Sequence, residues 1–212
     1  VILLMSSYGP VIALSNLSSN LLQTLASGER VLSLLAEEPE LKDVESAVDL
    51  KDVSRINVEN VSFAYGEEQI LSDVSLSVKK GEILGIHGRS GSGKSTLLKL
   101  LMRFYDPKSG SIKINGETLP NINTRSLRDN IAYITQQTYI FNETIEENIR
   151  LARRDATLEE MMEAAKKASI HDFILSLPEG YQTKMTELGG NLSDGEKQRI
   201  GIARAFLHNA PI

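Results

Sequence analysis

No cysteine occurs among the 212 residues, which excludes a disulfide scaffold and any thiolate metal site and suits a cytosolic setting. Histidine is scarce too. His87, His171 and His208 stand singly, without metal-ligand spacing, and read as surface or strand-end residues. No basic stretch leads the chain, so the opening VILLM is not a signal peptide. No apolar run reaches the roughly 20 residues that cross a bilayer alone. Internal repeats and low-complexity tracts are absent. Positive charge falls short: 23 Lys and Arg against 28 Asp and Glu leave a net charge of −5, which argues against nucleic-acid binding as the main role. With 41% hydrophobic and 24% charged residues, the chain can build a core as one large domain or one domain with an appendage.

Both ends read as cut. The chain begins at Val1 rather than methionine, and FLHNAPI at its end reads as the first step of a further strand. The sequence is therefore expected to be a fragment.

Residues 1–36 form a zone whose only charges are Glu29 and Arg30. Leu14, Leu17, Leu21, Leu25, Leu32 and Leu35 recur at helical spacing, so a long helix with one apolar face is expected. Periodicity alone leaves two readings open, an amphipathic helix on a soluble core or the cytoplasmic end of a transmembrane helix. Residues 37–54 are acidic and proline-marked and read as a linker. RINVENVSF and DVSLSV then alternate as half-buried strands do. EILGIH fits a buried strand, and SIKIN and IAYIT read as further short strands. A helix is expected from about Lys94 to Arg103. Between Glu143 and Leu177 the period turns helical, with capping boxes at Thr144/Glu147 and Thr157/Glu160. A last helix is expected from about Gly195 to Leu207.

GRSGSGKST at 88–96 matches G-x-x-x-x-G-K-[ST] between an expected strand and a helix, the context that phosphate-binding loops require. Gly88, Gly91 and Gly93 let the backbone bring successive N–H groups of Arg89, Ser90 and Ser92 toward phosphate oxygens. The following helix points its positive end at the same place. Lys94 is placed to reach the β- and γ-phosphates and Ser95 to ligate Mg²⁺, with Thr96 near the α-phosphate. A nucleoside triphosphate is the expected ligand.

Three further stretches, NVSFAYG, YITQQTYIF and NLSDGEKQRIGIARAF, follow in order around that loop. With it they resemble the nucleotide-binding domain of exporter-type ABC transporters over about residues 55–212. The resemblance implies an α/β fold: a P-loop NTPase core of the ABC type, an antiparallel β subdomain and a helical signature subdomain. It makes 1–36 the end of a last transmembrane helix and its cytoplasmic extension, 37–54 a linker, and 55–212 a C-terminally incomplete nucleotide-binding domain. It implies ATP and Mg²⁺ as cofactors and a second nucleotide-binding domain, head to tail, as homo- or heterodimer partner. It also implies a membrane domain in the same protein, a bilayer reached through the N-terminal segment, and no nucleic acid. The full-length protein is expected in the cell membrane with this domain on the cytoplasmic side. Tyr65 resembles the aromatic that stacks on adenine. Gln136 resembles the loop glutamine that touches Mg²⁺ and the attacking water, with Gln137 as a one-residue alternative. The family's Mg²⁺-orienting aspartate, catalytic glutamate and switch histidine are expected beyond Ile212. A soluble ABC-type ATPase acting as an ATP-dependent dimerisation clamp, and an importer ATPase with separate membrane subunits, are the competing readings. The nearly uncharged N-terminal zone weighs against both.

The usual family signature LSGGQ reads LSDGE at 192–196. Ser193 and Gly195 resemble the donors that hold the γ-phosphate in trans, while Ser193 and Glu196 also form a capping box. Asp194 is expected to point away from the nucleotide and to leave a weakened trans contact.

Overall fold

The computed structural model describes residues 2–39 and 41–212, without the side chains of residues 2–15 and 18. It divides into two compact units, Val1–Lys42 and Asp43–Ile212.

In the first unit a single helix, α1, spans Ile2–Leu35. Thr24 Oγ1 and Ser27 Oγ donate to the carbonyls of Asn20 and Gln23 four residues back, so these hydroxyls are satisfied within the helix. The apolar face read from the sequence stays bare. Leu17, Leu21, Leu25, Leu32 and Leu35 are 57–77% exposed, while the side chain of Leu14 lies outside the described residues. Among the described residues, no helix is long and apolar enough to cross a membrane.

The second unit opens with an antiparallel sheet in the order β2-β1-β3-β4, formed by β1 (Arg55–Tyr65), β2 (Glu68–Lys79), β3 (Ser109–Ile114) and β4 (Glu117–Thr118). Alternation sets its register: Val58 lies opposite Leu76 on one side and Ile112 on the other. Val58, Val61 and Phe63 turn inward and pack with Leu97 and Leu100 of α2 (Lys94–Leu101), giving one core. After α3 (Thr124–Asp129) come α4 (Ile145–Arg150), α5 (Leu158–Lys167), α6 (His171–Ser176) and α7 (Asp194–His208). Ile145, Ile149, Met161, Ala165, Ile174 and Ile200 make a second, helical core. Both expected capping boxes are formed: Thr144 and Thr157 accept from the N–H groups of Glu147 and Glu160, whose carboxylates return the bond.

Two expected strands are not there. EILGIH and IAYIT carry no strand pairing, and Ile83 is 100% exposed with Leu84 and Ile86 about half so. Their apolar composition suits a buried strand, but a strand needs neighbours to take its N–H and C=O groups. Among the described residues, the only backbone bond made by 131–135 outside its own turn runs from Ala132 N–H to the Ile212 carbonyl, 2.6 Å.

The stretch 43–54 belongs to the second unit. Val48 bridges Ile122, Val53 is buried, and Asp43 forms an ion pair of 2.6 Å with Arg103, which is 2% exposed. Thr124 donates to Asp43 from both its hydroxyl and its N–H. These Thr124 bonds and, after them, the Arg103 charge hold the Asp43 carboxyl below its usual range. A carboxyl with a depressed folded-state pKa stabilises the fold fully above its unfolded value, and that contribution fades as pH falls through the folded value. We expect stability to drop below about pH 4, and Asp43→Asn to remove part of that acid dependence in thermal melts across pH 2–6.

Candidate nucleotide-binding site

The loop 88–93 is shaped by its glycines and by the helix it feeds. Gly93 has φ +85 and stands against β2, where a Cβ would meet Leu71 Cδ2 at 2.5 Å and the Ile70 carbonyl at 3.2 Å. Only glycine fits that position. The N–H groups of Gly91, Gly93, Lys94, Ser95 and Thr96 find no acceptor among the described residues; within the loop Ser92 N–H alone is bonded, to Arg89 O. Free donors at and just before a helix N-terminus suit an anion, and this stretch can serve as its cradle.

Lys94 lies over this cradle. Its Nζ donates to the carbonyls of Gly88 (2.9 Å) and Arg89 (2.8 Å) and approaches Ser92 Oγ at 3.4 Å. All three acceptors are neutral, so a phosphate oxygen is a stronger partner for the ammonium. Ser95 is exposed in the first turn of α2, whereas Thr96 is buried. Tyr65, at the end of β1, is half-buried and stacks edge-on with Phe63 (4.9 Å) and Tyr105 (5.3 Å). Among the described residues its hydroxyl is buried without a partner.

Gln136 and Gln137 are exposed and line a cleft of about 580 Å³ together with Asp194 and Lys197. None of residues 88–96 lines that cleft. The structure thus brings Gln136 and Gln137 beside the turn at Asp194. In the signature turn, Ser193 Oγ accepts from Glu196 N–H at 3.3 Å while Glu196 Oε2 accepts from Ser193 N–H at 2.7 Å. The cap uses only a lone pair of the serine, so its hydroxyl proton is still available to an external acceptor. Asp194 is fully exposed and stands 3.7 Å from Lys197. Gly195 has open space around it: an added Cβ would find its nearest atom, Arg199 Nη2, at 4.0 Å. Nothing inside the chain demands glycine there.

One cluster of side chains carries no sequence motif. Arg204 on α7 and Asn148 on α4 form a polar junction behind the glutamine loop, and burial pulls the Arg204 pKa below the ordinary guanidinium value. The only sequence signal was an asparagine in a helix interior, an unfavourable place for it unless its side chain is used.

A glycine loop with unpaired N–H groups, opening a helix that begins with Lys94 and Ser95, defines a phosphate-loop nucleotide-binding domain. The sequence pattern of the ABC transporter family matches residues 71–212, and the chain belongs to that family. It is 97% identical, over its whole length and 38% of the other protein, to a probable ABC transporter ATP-binding/permease protein of Haemophilus influenzae. It is 43% identical to an ATP-dependent lipid A-core flippase of Syntrophus aciditrophicus, over 97% of this chain and 34% of that protein. The structure of a bacterial Atm1-family ABC exporter with ATP bound superposes with a TM-score of 0.84 at 39% identity, covering 89% of this chain and 33% of that one. The chain therefore spans well under half the length of the relatives it matches.

Proposed function

We propose that these residues are the ATP-binding part of an ATP-driven ABC exporter, coupling ATP binding and hydrolysis to transmembrane export. The phosphate loop carries the proposal: five unpaired N–H groups and the Lys94 ammonium surround one helix N-terminus. The N–H groups and Lys94 hold the β- and γ-phosphates, and Tyr65 supplies its ring to the adenine. Ser95 and Gln136 present exposed oxygens, which suit a hard cation such as Mg²⁺. Those two oxygens would hold the ion, whose chemistry there would be neutralisation of phosphate charge. Ser193 and Gly195 contact the γ-phosphate held by a second nucleotide-binding domain, a role supported by the free hydroxyl proton and by a glycine that its own chain does not need. Asp194, fully exposed and 3.7 Å from Lys197, turns its carboxylate away from that phosphate and leaves a weakened trans contact. A membrane domain in the same protein, reached through α1, places the nucleotide site on the cytoplasmic side.

None of the carboxylates at the signature turn is placed as a general base, because Glu196 is spent on the cap and Asp194 faces solvent. We therefore expect ATP hydrolysis from the full-length protein in membranes, abolished by Lys94→Ala, and none from residues 1–212 alone. Steady-state turnover on the order of tens per minute by residues 1–212 would contradict this assignment of roles.

A further inference from the structure

The glutamine loop and the helix behind the signature turn are joined by a polar junction that the roles above do not use. Asn148 is wholly buried. Its Oδ1 accepts from Phe141 N–H at 2.9 Å, and its Nδ2 donates to the carbonyls of Phe141 and Thr144, both at 3.0 Å. Arg204 spans the gap from α7, donating Nε to Asn148 O (2.7 Å), Nη2 to Asn148 Oδ1 (2.9 Å) and Nη1 to Tyr139 O (2.8 Å). One turn earlier on α7, Gly201 lies so close to Thr138 that a Cβ would meet its Oγ1 at 2.5 Å. Residues 138–141, directly after Gln136 and Gln137, are thus tied to α7 at successive points.

Plain helix packing does not require this chemistry. Every acceptor of Arg204 is a neutral oxygen, and no carboxylate pairs with it among the described residues. Sequestering a cation without a counter-ion is a poor way to gain stability, and an apolar side chain would serve α4–α7 contact better. What guanidinium offers instead is a rigid fork that addresses several acceptors at fixed angles. Here those acceptors belong to two segments, the run after Gln136 and α4.

We propose that Arg204 and Asn148 are positioning residues that fix the Gln136 loop relative to the signature helix, so that the two nucleotide-contacting elements shift together. This rests on the reading of Gln136 and Ser193 as nucleotide contacts. Loss of the junction leaves the phosphate loop, on a separate core, free to bind ATP as before.

The test uses the full-length protein with spin labels on cysteines introduced by Gln137→Cys and Gln198→Cys, both exposed positions. No cysteine of residues 1–212 competes for the label. With the junction intact we expect one narrow distance distribution. Arg204→Lys, which keeps the charge but not the fork, and Asn148→Ala should each broaden it about twofold or more. The same substitutions in the unlabelled protein should lower kcat about tenfold at an unchanged KM, and the double variant should be no worse than the worse single one. A fall in kcat and a rise in KM together, with the distribution still narrow, would mark a merely structural role and overturn the proposal. So would an unchanged kcat. If Asn148→Ala does not fold, Arg204→Lys decides alone. A parent protein that binds no ATP would sink the functional reading instead, and the distance distributions would still decide whether the junction sets the spacing.

Discussion

Alanine at position 94 should weaken ATP binding by about 10- to 150-fold, the loss of a charge-assisted contact of ~1.5–3 kcal/mol. The ammonium of Lys94 now rests on two loop carbonyls at 2.9 and 2.8 Å. It is thereby held over the cradle at little cost, since neutral acceptors release it readily to a phosphate. The fold should barely notice its removal, because the contacts given up are solvent-exposed. Lys94→Arg should recover only part of the affinity. A planar fork cannot occupy the place of a compact ammonium inside a closed loop. Equilibrium titration with a fluorescent ATP analogue, beside a thermal melt, separates these effects. An affinity within about twofold of the parent in a folded Lys94→Ala variant would place the phosphates elsewhere.

Gly93→Ala should act on the fold itself. An alanine at φ +85 costs about 1–2 kcal/mol, and its Cβ would press on Leu71 Cδ2 at 2.5 Å with the Ile70 carbonyl behind it. Overpacking of that kind adds about 1–3 kcal/mol. Together they amount to roughly 2–5 kcal/mol, or a fall in Tm of about 4–20 °C for a chain of this size. The contrasting change is Gly195→Ala, where the added methyl meets nothing closer than 4.0 Å. Helix propensity then predicts a gain of about 0.5–1 kcal/mol. A glycine that stabilises nothing in its own chain, replaced at no structural cost, should weaken only ATP-dependent dimerisation. Scanning calorimetry on the two variants checks both signs.

The sequence made the local rules visible and left the long-range ones hidden. Capping boxes and the alternation of β1 and β2 depend on neighbours a few residues away, and each is formed as its residues suggested. EILGIH misled because apolar content reports what a segment would bury, not whether partner strands are present to take its backbone. The stretch 43–54 read as a linker because it is acidic and poor in apolar residues. Its attachment comes from Asp43 meeting Arg103 and Thr124, which lie far along the chain. Arg204 and Asn148 were silent for the same reason: a hydrogen-bond junction across 56 residues has no periodicity to betray it. Candidate site residues with a motif could be picked out one by one. Their grouping, with Gln136 beside Asp194 and Lys197, was not.

The most direct test of the central claim is calorimetric titration of the protein with ATP and with AMP in the presence of Mg²⁺. The loop's five N–H groups and Lys94 address the terminal phosphates, whereas AMP offers the site only its base, sugar and first phosphate. Saturable binding of ATP at one site per chain is expected, at least about 100-fold tighter than AMP. Equal affinity for the two nucleotides, or no saturable ATP binding by folded protein, would contradict it.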